Sequence, residues 1–182
     1  VCLNTDDPLV ASLGLNLPKR CTKVYYGIAD YKGPRLKHDH TADSIISPLS
    51  NSKLIYEKRY FGHTGRYHSA NNDFKRPRPA YEAQDLAIDS ANGSRFSLKR
   101  SKKNSLPISL KLPGLYNVYN AMAALAALDE FNIDVETTTK TLEKSSAAWG
   151  RVETIRYEGR TLLLLLIENP TGLNQIIQTV LM

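Results

Sequence analysis

Residues 112–128 read LPGLYNVYNAMAALAAL, and the fold is read outward from them. Pro113 and Gly114 punctuate a turn, and from Val118 to Leu128 nearly every residue is apolar or Ala, the strongest helix former. The pattern predicts a helix that starts here and is buried on most sides. Asn117 and Asn120 are three apart and share one face of its first turn. Unpaired backbone N–H groups and two side-chain amides can converge there on one ligand. Asn117 reads equally well as a plain helix cap.

Upstream, residues 3–14 read LNTDDPLVASLG. A short strand ends near Asn4, and Asp6, Asp7 and Pro8 open a helix with acid at the cap and Pro in the first turn. Leu9, Val10 and Leu13 share one side of that helix and Gly14 stops it. In an α/β sheet ligands bind beyond the carboxyl ends of the strands, where Asn4 to Asp7 sit, although a helix cap accounts for the acids equally. Residues 22–28, TKVYYGI, form the next strand. Residues 86–90 and 95–98 alternate as paired strands around a turn at 91–94, and residues 108–112 alternate again into the asparagine helix. The basic run from Lys99 to Lys103 lacks interleaved stacking residues and reads as a solvated loop, with no nucleic-acid partner. A further helix runs from Val135 to about Lys144, capped by Asp134, with Val135, Thr138 and Leu142 on one face. Residues 154–157 and 161–167 form strands around the Glu158-Gly159 turn, the second reading as a fully buried parallel strand. A helix starts at Leu173.

Between about Lys37 and Tyr81 the composition turns polar, Pro-containing and aperiodic, which marks an insertion. It holds SPLS at 47–50, a hairpin-like LIYEKRYFGHTGRY at 54–67, SANN at 69–72 and FKRPRP at 74–79. The spacing is that of a zinc ribbon, two C-x2-C pairs 18 residues apart, with Ser47, Ser50, Ser69 and Asn72 at the cysteine positions. Hydroxyls and an amide are poor ligands for an ion that favours thiolate or imidazole, so no bound metal is expected. His38, His40, His63 and His68 show no metal-ligating spacing and read as surface or second-layer residues.

Composition allows one domain or two small ones: 182 residues, 42% hydrophobic, with 24 Lys and Arg against 18 Asp and Glu, a net charge of +6. That charge suits an anionic partner without demanding one. The longest apolar run, Leu162 to Ile167, falls far short of the roughly 20 residues needed to span a bilayer. The expected setting is cytoplasmic. Cys2 and Cys21 are too few for a disulfide scaffold.

The helix at 112–128 resembles the G-x-[HY]-N-x-x-N-x-x-A-A element of the Mur ligase family, through Gly114, Tyr116, Asn117, Asn120, Ala123 and Ala124. LNTDDP is similar to that family's N-[AT]-D-D element. Gly62, His63, Gly65, Tyr67 and the FKRP at Phe74 to Pro77 match the MurT-type subunits within the family, as does NPTGLNQ at 169–175, so the resemblance runs the length of the chain.

The resemblance implies a Mur ligase central ATPase domain, α/β in class, over 1–36 and 82–149. A β-rich degenerate zinc ribbon is inserted at 37–81, and an α/β C-terminal domain starts at 150–182. It implies ATP and Mg as cofactors, with zinc bound in the family but not expected here. The implied nucleotide-binding residues are Asn4, Asp6, Asn117, Asn120, Arg151, Glu168 and Asn169. By the same resemblance Asn120 is expected to contact adenine, and Arg151, in a G-R-x-E-like joint, to reach phosphates. An interdomain ion pair of Arg151 with Glu153 or another acid is the alternative. Glu168 stands where the family's loop carries Lys. The family's P-loop and catalytic Asp are absent from these residues, so the chain reads as an internal piece, inactive alone, with catalytic residues outside it. The implied whole enzyme amidates the D-glutamate of lipid II to D-isoglutamine with ammonia from a GatD-type glutamine amidotransferase subunit, nearing the membrane only through lipid II. The competing reading is a non-catalytic binding module or an orphaned Mur-like fragment.

Overall fold

A computed structural model describes residues 1–33, 44–89, 93–101, 103–145, 152–167 and 169–180. The elements in chain order are β1 (Cys2–Asn4), α1 (Pro8–Leu13), β2 (Val24–Ile28), β3 (Leu54–Phe61), β4 (Thr64–Ser69), β5 (Tyr81–Asp89), β6 (Gly93–Arg100), β7 (Lys103–Leu110), α2 (Leu115–Glu130), α3 (Val135–Lys144), β8 (Val152–Tyr157), β9 (Arg160–Leu165) and α4 (Pro170–Val180).

Five strands form one mixed sheet in the order β1-β2-β5-β6-β7. β1, β2 and β5 are parallel, and β5, β6 and β7 are antiparallel. Strands from before and after the insertion therefore share a single sheet. Pro107 lies in β7 at the sheet's edge, the one place where a missing N–H removes no inner ladder bond. The run from Lys99 to Lys103 is not a free loop: Arg100 pairs with Lys103 across the tight β6–β7 connection.

α2 lies on this sheet, touching β1, β2 and β5. It buries Leu115, Val118, Tyr119, Ala121, Met122, Leu125 and Ala126, and of its 16 residues only Asn120 and Glu130 are exposed. A buried Leu or Met such as Leu125 or Met122 contributes about 1.5–3 kcal/mol relative to an exposed one. Val24, Ile28, Ala83, Phe96, Leu98 and Ile108 of the sheet belong to the same core. α3, capped by Asp134 through the Thr137 N–H at 2.8 Å, buries Val135 and Thr138 against α2 and β7.

Two expectations are corrected here. The apolar side of α1 faces out: Leu9 and Leu13 are exposed, and the helix buries Pro8 and Ala11. Those small surfaces let Tyr25, Tyr56, Tyr67 and Phe74 pack close, in a second cluster with Leu54. β9 is not a buried parallel strand. It pairs antiparallel with β8 in a two-stranded sheet, and Leu162, Leu163 and Leu164 are 50%, 45% and 53% exposed. A two-stranded sheet presents both faces, so a run of leucines is buried only where another layer covers it. The insertion packs into the main core. β3 and β4 form the expected hairpin, and Tyr60 and Phe61 join the α2 core, with Phe61 edge-on to Tyr119 at 5.8 Å between ring centroids.

Candidate functional site

The parallel strands and α2 run in opposite directions. Tyr119, in the first turns of α2, reaches Asp6 just past the end of β1, whereas Asp129 and Glu130 at the far end accept from Tyr81 at the start of β5. The N-terminus of α2 thus lies at the carboxyl ends of the parallel strands, the end at which α/β sheets bind ligands. Asn4, Asp6, Asn117 and Asn120 are gathered at this end.

Their environments differ sharply. Asn120 is exposed on the first turns of α2. The helix N-cap is Gly114, at φ 100° and ψ 140°, a backbone position that favours glycine and offers no side-chain cap. Asn117 is half-buried and does not cap the helix with its oxygen. Its Nδ2 donates back to the Pro113 carbonyl at 2.7 Å, which fixes the loop that delivers the chain into α2. The Asn4 Oδ1 accepts the Asp6 N–H at 2.9 Å.

Asp6 is turned inward, contrary to the expectation that it faces a nucleotide. Its side chain is fully buried and accepts from Arg76 Nε at 2.5 Å, from the Ile28 N–H at 2.8 Å and from the Tyr119 hydroxyl at 2.8 Å. Burial pushes its carboxyl above the ordinary value, while the Arg76 charge and these hydrogen bonds pull against that shift. Arg76 also donates to the Ile28 carbonyl at 3.0 Å. Gly27 beside them has no room for a side chain, since a Cβ there would lie 2.4 Å from Thr5 Cγ2 and 2.8 Å from Asp6 Oδ2.

Asp7 is the N-cap of α1, accepting from the Leu9 and Val10 N–H groups at 2.9 and 3.1 Å. Its other oxygen lies 3.0 Å from His63 Nε2, so His63, expected at the surface or in a second layer, is the partner of an acid. Burial raises the Asp7 carboxyl, but the His63 and helix N–H contacts outweigh it and hold the group below its ordinary value. Further bonds tie the insertion to the same turn: Gly65 N–H to the Asp6 carbonyl at 2.8 Å, Tyr67 hydroxyl to the Thr5 carbonyl at 3.1 Å, and Thr5 hydroxyl to the Pro77 carbonyl. Sequence reading gave Arg76, Tyr119 and His63 no part in this arrangement. The available signal was an acid pair preceding Pro, of which one capping position can use a single carboxylate.

Both carboxylates at this end are therefore engaged, and neither Asp6 nor Asp7 is open to a Mg ion. Asn169 caps α4, its Oδ1 accepting the Gly172 N–H at 2.7 Å. Arg151 and Glu168 lie outside the described residues, as do His38 and His40. His68 Nδ1 lies 3.3 Å from Glu57. Among the described residues no group of three or more His, Cys, Asp or Glu is placed to hold a metal ion, and no helix is long and apolar enough to cross a membrane.

The fold and these motifs meet in comparisons with known proteins. No family model matches the chain. A solved pseudomurein peptide ligase type C from Methanothermus fervidus superposes with a TM-score of 0.80 at 33% identity, over 98% of this chain and 33% of that one. The chain belongs to the Mur ligase family. Within it, the chain is 30% identical over 180 residues, 99% of its length, to the MurT subunit of the glutamine-hydrolysing lipid II isoglutaminyl synthase of Streptococcus pneumoniae. The Staphylococcus aureus MurT subunit is 27% identical over 172 residues, 94% of this chain. The chain spans 38% and 37% of the length of these two relatives.

Proposed function

We propose that the chain is the adenine-reading part of an ATP-dependent carbon–nitrogen ligase of cell-wall synthesis. By similarity to the MurT subunits, that ligase amidates the D-glutamate of lipid II with ammonia from a GatD-type glutaminase subunit. The observation that carries the reading is the exposed Asn120 amide at the uncapped N-terminus of α2, at the carboxyl ends of the parallel strands. An amide presents one donor and one acceptor, which matches the edge of adenine. The first-turn N–H groups and the helix dipole favour a phosphate-bearing ligand nearby. Arg151 is assigned to the phosphates, because a guanidinium fork binds two phosphate oxygens together. Asn117 orders the loop before α2 and Asn4 orders the turn after β1, and by the resemblance Glu168 and Asn169 are assigned to a loop that faces the nucleotide. When bound, Mg would neutralise the transferring phosphoryl group, and its ligands are assigned to residues other than Asp6 and Asp7.

The test uses the full-length protein that carries this chain. Asn120→Ala weakens ATP and adenosine alike, by about 1 kcal/mol for one neutral hydrogen bond. Arg151→Ala weakens ATP by about 1.5–3 kcal/mol and leaves adenosine unchanged, as loss of a charge-assisted contact requires. Calorimetric titration with both ligands reads the difference. Unchanged binding in both variants would leave the non-catalytic module as the better account.

A further inference from the structure

The amide of Asn120 can meet the edge of a base only if α2 is held at one angle about its own axis. A helix with its side chains has a radius of about 5–6 Å, so a roll of about 10° carries an outward-facing group by about 1 Å. A neutral N–H···O bond tolerates only about 0.5 Å in length. The mouth of α2 has little of its own to set that angle. Gly114 gives the helix no side-chain cap, and the Asn117 amide is turned back to the Pro113 carbonyl of the preceding loop. Leu115, Val118 and Met122 are buried in the core, but apolar contact is non-directional.

Tyr119, the residue before Asn120, supplies a directional contact. The two side chains leave the helix about 100° apart. Tyr119 is buried where Asn120 is exposed. Its hydroxyl donates to Asp6 Oδ2 at 2.8 Å, and its ring lies edge-on to Phe61 of the insertion. Asp6 is a fixed post. The same Oδ2 accepts the Ile28 N–H of β2 at 2.8 Å, and Oδ1 accepts Arg76 Nε at 2.5 Å. The Asp6 N–H is held by Asn4 Oδ1 at 2.9 Å, and its carbonyl by the Gly65 N–H at 2.8 Å. The end of β1, the end of β2 and the insertion therefore converge on the residue that receives α2.

We propose that Tyr119 is a positioning residue of the nucleotide site: anchored on Asp6, it sets the roll of α2 and thereby the direction in which Asn120 presents its amide. The inference rests on the reading of Asn120 as the adenine contact. Asp6 then serves the site without touching the nucleotide. Arg76 steadies the post, so the insertion is linked to the base contact by two hydrogen bonds in series, Arg76 to Asp6 and Tyr119 to Asp6.

Calorimetric titration of the full-length protein with adenosine tests this. Tyr119→Phe keeps the ring beside Phe61 and removes only the hydroxyl. It should weaken adenosine about threefold, less than the roughly fivefold loss that one neutral hydrogen bond at Asn120 represents. In an Asn120→Ala background the same substitution should cost nothing further, because the amide it acts through is gone. Tyr81→Phe is the control at the other end of α2, where the Tyr81 hydroxyl donates to Asp129 and Glu130 at 2.8 and 3.0 Å. It should lower the urea midpoint and leave adenosine binding unchanged. Parent-like adenosine binding in Tyr119→Phe, an equal loss in the Asn120→Ala background, or an equal loss in Tyr81→Phe would each overturn the positioning role and leave Asn120 as the adenine contact. Parent-like adenosine binding in Asn120→Ala would overturn the adenine assignment itself, and this inference with it.

Discussion

The molecule holds two small antiparallel hairpins, β3–β4 and β8–β9, and their sequences and surroundings are reversed. The first lies in a polar, Pro-containing stretch that offers little hydrophobic pattern, yet it places Tyr60, Tyr67 and Leu54 in buried positions. The second carries five of the most apolar residues in the chain, Leu162 to Leu166, and leaves four of them exposed. Apolar composition sets what burial is worth, and the presence of a covering layer decides whether burial occurs. β3–β4 is covered because a few specific groups seat it: Arg76 on Asp6, His63 on Asp7, and Tyr67 on the Thr5 carbonyl.

The largest effect should come from Arg76. Removing one partner of a buried ion pair strands the other, at a cost of about 3–5 kcal/mol, so Arg76→Met should lower the urea midpoint steeply. The double variant Asp6→Asn with Arg76→Met should recover a good part of that loss, since no charge is then left buried. If Arg76→Met alone costs less than about 1 kcal/mol, the pair is as solvated as a surface bridge and the insertion is seated by its aromatic residues instead.

A smaller effect, confined to acid, is expected at Asp7. Its carboxyl is held below the ordinary carboxylate value, so its contribution to stability is present above that ordinary value and is lost as pH falls through the lowered folded value. Asn keeps the capping acceptor, so Asp7→Asn should leave the helix cap largely intact near neutrality while flattening the acid limb of the stability curve below about pH 4. Urea titrations at a series of pH values read this. An unaltered acid limb would assign it to other carboxylates.

Much of the main domain was legible in the sequence. The α2 helix follows from an alanine-rich apolar stretch after Pro113-Gly114, and α3 from Asp134 at its cap, because local propensity and tertiary packing agree there. The hairpin at 54–67 was legible from its β-rich residues around a glycine turn. At the candidate site, Asn120 sits on the exposed face that its spacing indicates, but Asp6 does not face outward. Its fate is decided by Arg76, 70 positions away, and long-range pairing leaves no trace in local pattern. The direction of the Asn117 amide was equally hidden, since an asparagine can serve a helix mouth by donating as well as by accepting. For β9 the missing information was the neighbour: six apolar residues in a row describe a buried strand only when something lies on both faces.

The smallest effect, at Leu164, sharpens the comparison most when it is set against the same substitution at Leu54 in the other hairpin. Leu54→Ala in β3 removes a side chain that is 4% exposed, among Ala11, Tyr67 and Phe74, and should cost about 2–5 kcal/mol. Leu164→Ala in β9 removes one that is 53% exposed and should change stability by no more than about 0.5 kcal/mol. Each is measured by urea unfolding at two protein concentrations. A concentration-independent loss of several kcal/mol at Leu164 would mean that β9 is covered within the chain. A loss that grows with concentration would mean that a second copy covers it, because only association makes the stability of a buried surface depend on how much protein is present. A small loss at both concentrations leaves the two hairpins as described, one seated by its polar anchors and one open on the leucines of its own strand.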